Sequence, residues 1–382
     1  MRRYRLAIAI VAVFLVVVIG LLAGMWANRN TRAGLTTAFM LPDLFVDLPV
    51  SPLKLASAKP IKEEVTFSVG GGQVAADLYR PDDDDRHGAL LVVIGAAPRA
   101  LEDERVVRLA KSAARAGLVV MIPKLEHLLA DEMVPEEIEE VVAAFQYLRD
   151  QPFVEPERTG IVGFSVGAGI GLVAASDPRI RDDVALFGSF GGYYDLYDVI
   201  AAATTETITN NGHQSRWHPD DKTLRVLRRS LIYYADSGRD QDILTRIFLE
   251  DDDSARQELG ALSPRSRAIF AILDNHDPAR SAELFAALPP DEQAILRRLS
   301  PSASLDGLRT ELIVIHDRHD RYIPYVESRR LAEAARARNE VHYAEMDIFH
   351  HVDPRVPANP LTFLADLIEL LFQVCRLMLR LA

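Results

Sequence analysis

Gly163-Phe164-Ser165-Val166-Gly167 sets a serine between two glycines, where a β-prone run (Arg158–Val162) gives way to a small, apolar, helix-like one (Ala168–Ala175). A tight strand-to-helix turn of this kind holds a hydroxyl clear of the backbone and aims the following amide at charge developing beside it. Gly163 and Gly167 suit the turn because a side chain at either place would collide with the neighbouring strand or helix. A serine hydroxyl is a poor nucleophile at neutral pH and needs an imidazole to take its proton; a carboxylate on the far ring nitrogen fixes the tautomer. The chain offers both downstream. Thr310–Ile315 is an apolar run of strand length that ends in His316-Asp317-Arg318-His319-Asp320-Arg321-Tyr322-Ile323-Pro324, and Val341–Ile348 is another that ends in His350-His351-Val352-Asp353. Serine, carboxylate and histidine thus follow one another, each just past a strand. Asp317 competes with Asp320 for the carboxylate role and His350 with His351 for the base; Asp353 reads as a loop or capping carboxylate.

The elements that must position these groups alternate. Glu64–Tyr79 reads as a hairpin turning at Gly70-Gly71-Gly72, Ala89–Gly95 as a buried strand and Leu101–Ala116 as a helix stopped by Gly117. Leu118–Pro123 is a strand, Pro135–Asp150 a helix with Ile138, Val141, Val142, Phe145 and Leu148 on one face, and Ile161–Phe164 and Val184–Phe187 are strands. This order implies an α/β fold with a mostly parallel central sheet flanked by helices, whose strand carboxyl ends gather the reactive groups. The alternation stops between about Tyr194 and Leu299, a mostly helical stretch broken by Gly212, Pro219, Gly238, Pro264, Pro278 and Pro289-Pro290.

The serine motif, the order Ser, Asp, His and the segment His316–Pro324, similar to an H-G-x-x-D-x-[VI]-P signature with Asp317 in place of glycine, resemble the α/β-hydrolase superfamily over residues 62 to the C-terminus. The resemblance implies Ser165 as nucleophile, Asp320 as acid and His351 as base, the D-x-x-I-P match favouring Asp320 and the following Val352 favouring His351. It implies an oxyanion hole from the backbone of Val166 and of Ala96 or Ala97, after the strand Ala89–Gly95, where many relatives carry His-Gly. It makes residues 194–299 a helical lid insertion. The implied activity is hydrolysis of an ester, most simply a carboxylic ester, through an acyl-enzyme, with no cofactor and no metal.

The ends and the composition bound the rest. The 382 residues suffice for one large core and an added subdomain, and a net charge of −12 argues against nucleic acid as partner. The single cysteine, Cys375, excludes an internal disulfide and reads as a packed thiol. Leu6–Trp26 is apolar and long enough to span a bilayer, with Arg2, Arg3 and Arg5 before it. The reading is an N-terminal transmembrane helix or signal segment (1–27), a linker (28–61), the first part of a hydrolase core (62–193), the lid (194–299) and the second part of the core (300–382). The domain is expected outside the cytoplasm, anchored or, after cleavage near Ala27, secreted; a buried soluble helix is the third reading of the run. The last segment, Leu361–Leu381, carries Asp366, Glu369, Gln373, Arg376 and Arg380 as one polar stripe; it is expected to pack on the sheet, with Phe372, Leu377, Met378 and Leu381 touching a membrane at its distal end. Small-molecule or lipid-like esters are the expected substrates. Three other functions fit the same residues: acyl transfer to an alcohol or amine, a metal site from His316, Asp317, His319, Asp320, His350 and His351, and a non-catalytic binding module.

Overall fold

The computed structural model describes residues 28–45, 50–354 and 359–382. The run Leu6–Trp26 lies outside them, and among the described residues no helix is long and apolar enough to cross a membrane. In chain order come α1 (Arg29–Phe45), α2 (Pro52–Ala56), β1 (Ile61–Val69), β2 (Gly72–Arg80), β3 (His87–Val93), α3 (Glu104–Arg115), β4 (Val119–Pro123), α4 (Glu126–Leu129), α5 (Glu136–Arg149), β5 (Val154–Phe164), α6 (Val166–Ala175) and β6 (Leu186–Phe190). Between β6 and β9 lie α7 (Leu196–Thr205), the small hairpin β7 (Thr207–Asn210) and β8 (His213–Arg216), α8 (Asp221–Ile232), α9 (Gly238–Leu249), α10 (Pro264–Leu273), α11 (Ser281–Ala286) and α12 (Pro290–Leu299). The chain closes with β9 (Glu311–Asp317), α13 (Tyr325–Ala335), β10 (Val341–Met346), the short ladder β11 (Phe349–His350) and β12 (Asp353–Pro354), and α14 (Pro360–Leu381).

The large sheet runs in the order β1-β2-β4-β3-β5-β6-β9-β10. The first hairpin is antiparallel, with Gly70 and Gly71 at φ 54° and 91°, angles that a side chain disfavours. β2 joins β4 antiparallel, and the strands from β4 to β10 are parallel. Both faces are covered, so the central strands are apolar at successive positions: Leu91, Val93, Ile161 and Val314 pack toward α5 and α6, while Leu90, Val92, Val162 and Ile313 pack toward α1, α3 and α14. The chain passes from β3 to β4 on one side and returns to β5 on the other. The carboxyl ends of β3 and β5 therefore flank the crevice where strand order reverses. β6 runs through Gly188 to Phe190, three residues past the expected end, because β5 and β9 pair with it on both sides and override the weak strand propensity of Gly188 and Ser189.

Two expectations are corrected. Residues 28–61 contain α1, although Pro42 falls inside it. Pro42 lies in the last turn, where it removes one helical hydrogen bond, and burial of Ala33, Met40 and Leu41 against α3 and α14 outweighs that loss. α14 packs on the sheet, and part of its polar stripe is buried with it: Asp366 and Gln373 are buried, Asp366 accepting the Asp347 N–H (2.6 Å), and Arg380 donates to the Ala185 carbonyl (3.0 Å). Met378 and Leu381 are buried too, so of the residues expected at the membrane only Phe372 is exposed. It continues an exposed apolar row with Leu361, Leu364 and Ile368, on the side of α14 away from the sheet.

Glu137, in the first turn of α5, is fully buried, with Oε1 accepting the Leu128 N–H (2.8 Å). Burial pushes its pKa up to about 8, the Leu128 bond offsetting only part. The native state therefore holds a proton that the unfolded chain releases near pH 4.5, and stability falls as pH rises from there toward 8. Glu137→Gln is expected to leave the melting temperature unchanged at pH 4.5 and to stabilise by roughly 2–4 kcal/mol at pH 8.5, measured by thermal melts across pH.

Candidate active site

Ser165 opens α6 from a left-handed backbone, φ 55° and ψ −132°, a conformation that costs a residue with a Cβ of order 1–3 kcal/mol. The turn is held by the Ser165 N–H on the Phe190 carbonyl (2.8 Å) and the Ala168 N–H on the Ser165 carbonyl (2.9 Å). Both flanking glycines are required as expected. A Cβ on Gly163 would overlap Ala168 of the helix, and one on Gly167 would sit 2.5 Å from the Ile94 carbonyl oxygen and 2.6 Å from that of Val93. Gly95, which the sequence places at the end of a strand and at the start of the expected oxyanion-hole loop, is a third: its Cβ would lie 2.7 Å from Ser165 Cβ and 3.2 Å from Oγ. The loop Gly95-Ala96-Ala97 is thereby brought against the serine. Val166 is the first residue of α6, so its N–H has no acceptor within the helix.

Asp320 and His351 meet directly, His351 Nδ1 lying 2.6 Å from Asp320 Oδ2. Asp320 is buried and accepts two main-chain bonds on Oδ1, from Tyr322 N–H (2.6 Å) and Ile323 N–H (3.0 Å), while His316 Nε2, bonded to the Ile323 carbonyl (3.0 Å), lies 3.1 Å from Oδ2. Burial alone would raise its pKa; the charges and hydrogen bonds of His351 and His316 outweigh this and hold it well below the usual carboxylate range. His316, fully buried, would by burial alone lose its proton more easily, but the hydrogen bond to Asp320 raises its pKa. Its Nδ1 faces Ser328 Oγ (2.6 Å), whose hydroxyl donates to the Gly192 carbonyl (3.2 Å).

The rivals separate by burial and partner. Asp317 accepts the main-chain N–H groups of His351 (2.9 Å) and His319 (2.9 Å), so it shapes the histidine loop without touching the imidazole. His350 is exposed and meets Tyr322 edge-on. Asp353 pairs with Arg105 at the surface. The six residues weighed as metal ligands are divided among these roles; among the described residues the cluster with ligand-like spacing is elsewhere, Glu311, Glu340 and His342.

Several positioning residues carried no sequence signal. Tyr322 stacks on His351 (centroids 4.6 Å apart, planes 21°). Gly191, at φ 59°, lies against His351, where a Cβ would come within 3.2 Å of the ring. Trp217 donates its indole N–H to the Asp320 carbonyl (2.7 Å), Thr223 its hydroxyl to the Tyr322 carbonyl (3.0 Å), and Asp220 its N–H to the Arg321 carbonyl (2.7 Å). The segment 217–223 of the insertion is thus bonded to the carboxylate loop. A cavity of about 340 Å³ is lined by Ser165, His351, Ala96, Ala97 and Tyr322 together with Val226 of α8. That volume is within the range of small-molecule sites.

No protein-family model and no curated protein matches the chain. Among solved structures it is similar to a 2,6-dihydroxy-pseudo-oxynicotine hydrolase (12% identity, 85% of this chain and 69% of that one, TM-score 0.51). It is also similar to a Pyrobaculum calidifontis esterase (15% identity, 91% and 90%, TM-score 0.45) and to a Pyrococcus horikoshii acylaminoacyl peptidase (13% identity, 77% and 38%, TM-score 0.46). The chain spans 38% of the peptidase's length. With the sheet order and the strand-to-helix serine turn, the likeness settles the fold: the chain has the α/β-hydrolase fold.

The backbone strain at Ser165 makes a prediction independent of activity. Ser165→Gly relieves the positive φ and is expected to raise stability by about 1 kcal/mol over Ser165→Ala, which keeps the strain; denaturant melts of the two variants check this.

Proposed function

We propose that the chain is a serine hydrolase that cleaves a carboxylic ester through an acyl-enzyme on Ser165. The observation that carries the reading is the 2.6 Å bond from His351 Nδ1 to a buried, ionised Asp320, at a cavity that also opens on the strained Ser165 turn. With Nδ1 committed to Asp320, Nε2 is the nitrogen left to take the serine proton. Ser165 Oγ attacks the ester carbonyl carbon as His351 accepts its proton, and the carbonyl electrons move onto oxygen. That oxyanion is met by the N–H of Val166 and of Ala96 or Ala97. Collapse expels the alcohol, protonated by His351. Water then repeats the sequence, releases the acid and restores the serine. Asp320 stays ionised throughout. The apolar cavity favours an uncharged acyl group over a peptide.

The proposed location is a membrane, through the apolar run Leu6–Trp26, with the domain on the extracytoplasmic side because Arg2, Arg3 and Arg5 precede the run. The exposed row Leu361, Leu364, Ile368 and Phe372 supports a surface that lies near lipid. The insertion is read as a cap whose attachment at Trp217–Thr223 keeps that edge of the pocket fixed.

Short-chain p-nitrophenyl esters test the chemistry. Ser165→Ala and His351→Ala are expected to abolish turnover, and Asp320→Asn to lower kcat by about 10³–10⁴. Asp317→Asn, which loses only main-chain bonds, should cost far less. Equal losses in Asp317→Asn and Asp320→Asn, or undiminished turnover in Ser165→Ala, would contradict the assignment.

A further inference from the structure

The cavity at Ser165 does not end at the cap. It continues past Gly95 and Phe164 into the layer between the sheet and the helices α1 and α14, where Val92, Val162 and Gly188 form one wall and Met40 of α1 with Val374 and Leu377 of α14 form the other. Its two ends differ in chemistry. The mouth carries Asp103, Arg105, Lys222 and Asp353, whereas the deep part is apolar apart from Gln373, which donates one amide N–H to Glu369 (2.6 Å) and whose buried Oε1 has no partner among the described residues.

Gly188 and Val162 together shape the floor of the deep part. Gly188 lies mid-strand in β6, on the same face as Leu186 and Phe190, where an interior strand ordinarily carries a branched apolar side chain. An added Cβ would lie 2.9 Å from Val162 Cγ2, so the valine side chain takes the place where a side chain at 188 would start, and it is Val162 that faces the channel there. Native interiors hold few voids larger than a water molecule, and an apolar void left empty is strongly destabilising in proportion to its volume. A cavity of about 340 Å³, open at its mouth and beginning at a candidate nucleophile, is therefore read as space for a ligand rather than as a packing defect.

We propose that this channel holds the acyl chain of the substrate, and that the substrate is an ester of a medium-to-long unbranched fatty acid whose polar alcohol part stays at the charged mouth. This rests on Ser165 forming the acyl-enzyme. A carbonyl carbon bonded to Ser165 Oγ has the apolar channel on one side and the mouth on the other. Polar alcohols leave toward water, and the methylenes stay between β6 and α14. The about 340 Å³ is shared between mouth and channel, so at the ~30 Å³ that a water-sized group takes in a liquid it bounds the acyl chain at on the order of ten methylenes.

The experiment is a p-nitrophenyl ester series from acetate to laurate on the full chain in detergent, with fluorophosphonate labelling of Ser165 run in parallel. kcat/KM is expected to rise with chain length, at most about fourfold for each methylene buried, to a maximum near eight to ten carbons (on the order of the volume above). Val374→Phe narrows the channel from the helix side and is expected to lower decanoate turnover at least tenfold while acetate turnover and labelling stay within about twofold. If that variant does not fold, Leu377→Phe enters from the same side with the same expected readout. A series that is best at acetate, or long-chain turnover untouched by both substitutions, with Ser165 still labelled, would overturn the acyl channel and leave the hydrolase reading standing. Absence of both turnover and labelling in folded protein would overturn the two together.

Discussion

One buried charge organises the site. Asp320 is withdrawn from water at the end of β9 and is kept ionised by two imidazoles and two main-chain amides. An isolated carboxylate in such a place would take up a proton, so each donor is a condition of the others. His316, Tyr322 and Ile323 pin the carboxylate, the carboxylate orients His351, and Tyr322 and Gly191 confine the ring from its two sides. The insertion joins at the loop's main chain, the side chains of Trp217 and Thr223 donating to the carbonyls of Asp320 and Tyr322. The insertion is in this sense part of the scaffold of the site.

The same sheet that delivers these groups also leaves space beneath them. Close approach of backbone demands glycine at 95, 163 and 167, and that demand is met around the serine. Gly188 is different, because it is a side chain, Val162, that leaves no place for a Cβ there. α14, which closes the room beneath the sheet together with α1, also bears an outward apolar row. Substrate chain length and proximity to lipid would then be set by one layer of the fold.

Much of this was legible in the sequence, for a physical reason in each case. The alternation of buried strands and amphipathic helices reports the doubly covered sheet, and the flanking glycines of Ser165 report the turn. The choice between Asp317 and Asp320 was not decided by residue type. It is decided by reach: one carboxylate points at main chain, the other at an imidazole. α1 was hidden because Pro42 reads as a helix breaker, while the burial that stabilises the helix comes from partners more than sixty residues away in α3 and more than three hundred away in α14. Tyr322, Trp217 and Gly188 act through tertiary contacts that no local pattern encodes. The polar stripe of α14 was seen, but which side of it faced solvent depends on where the helix docks.

The most direct measurement is covalent: detergent-solubilised protein is treated with a fluorophosphonate, digested, and the adduct located by mass spectrometry. The account predicts a single adduct on the peptide containing Ser165, formed by the wild type and by Asp317→Asn, and slowed by orders of magnitude in Asp320→Asn and His351→Ala. An adduct on another residue, or labelling of Ser165 that is indifferent to Asp320 and His351, would contradict it.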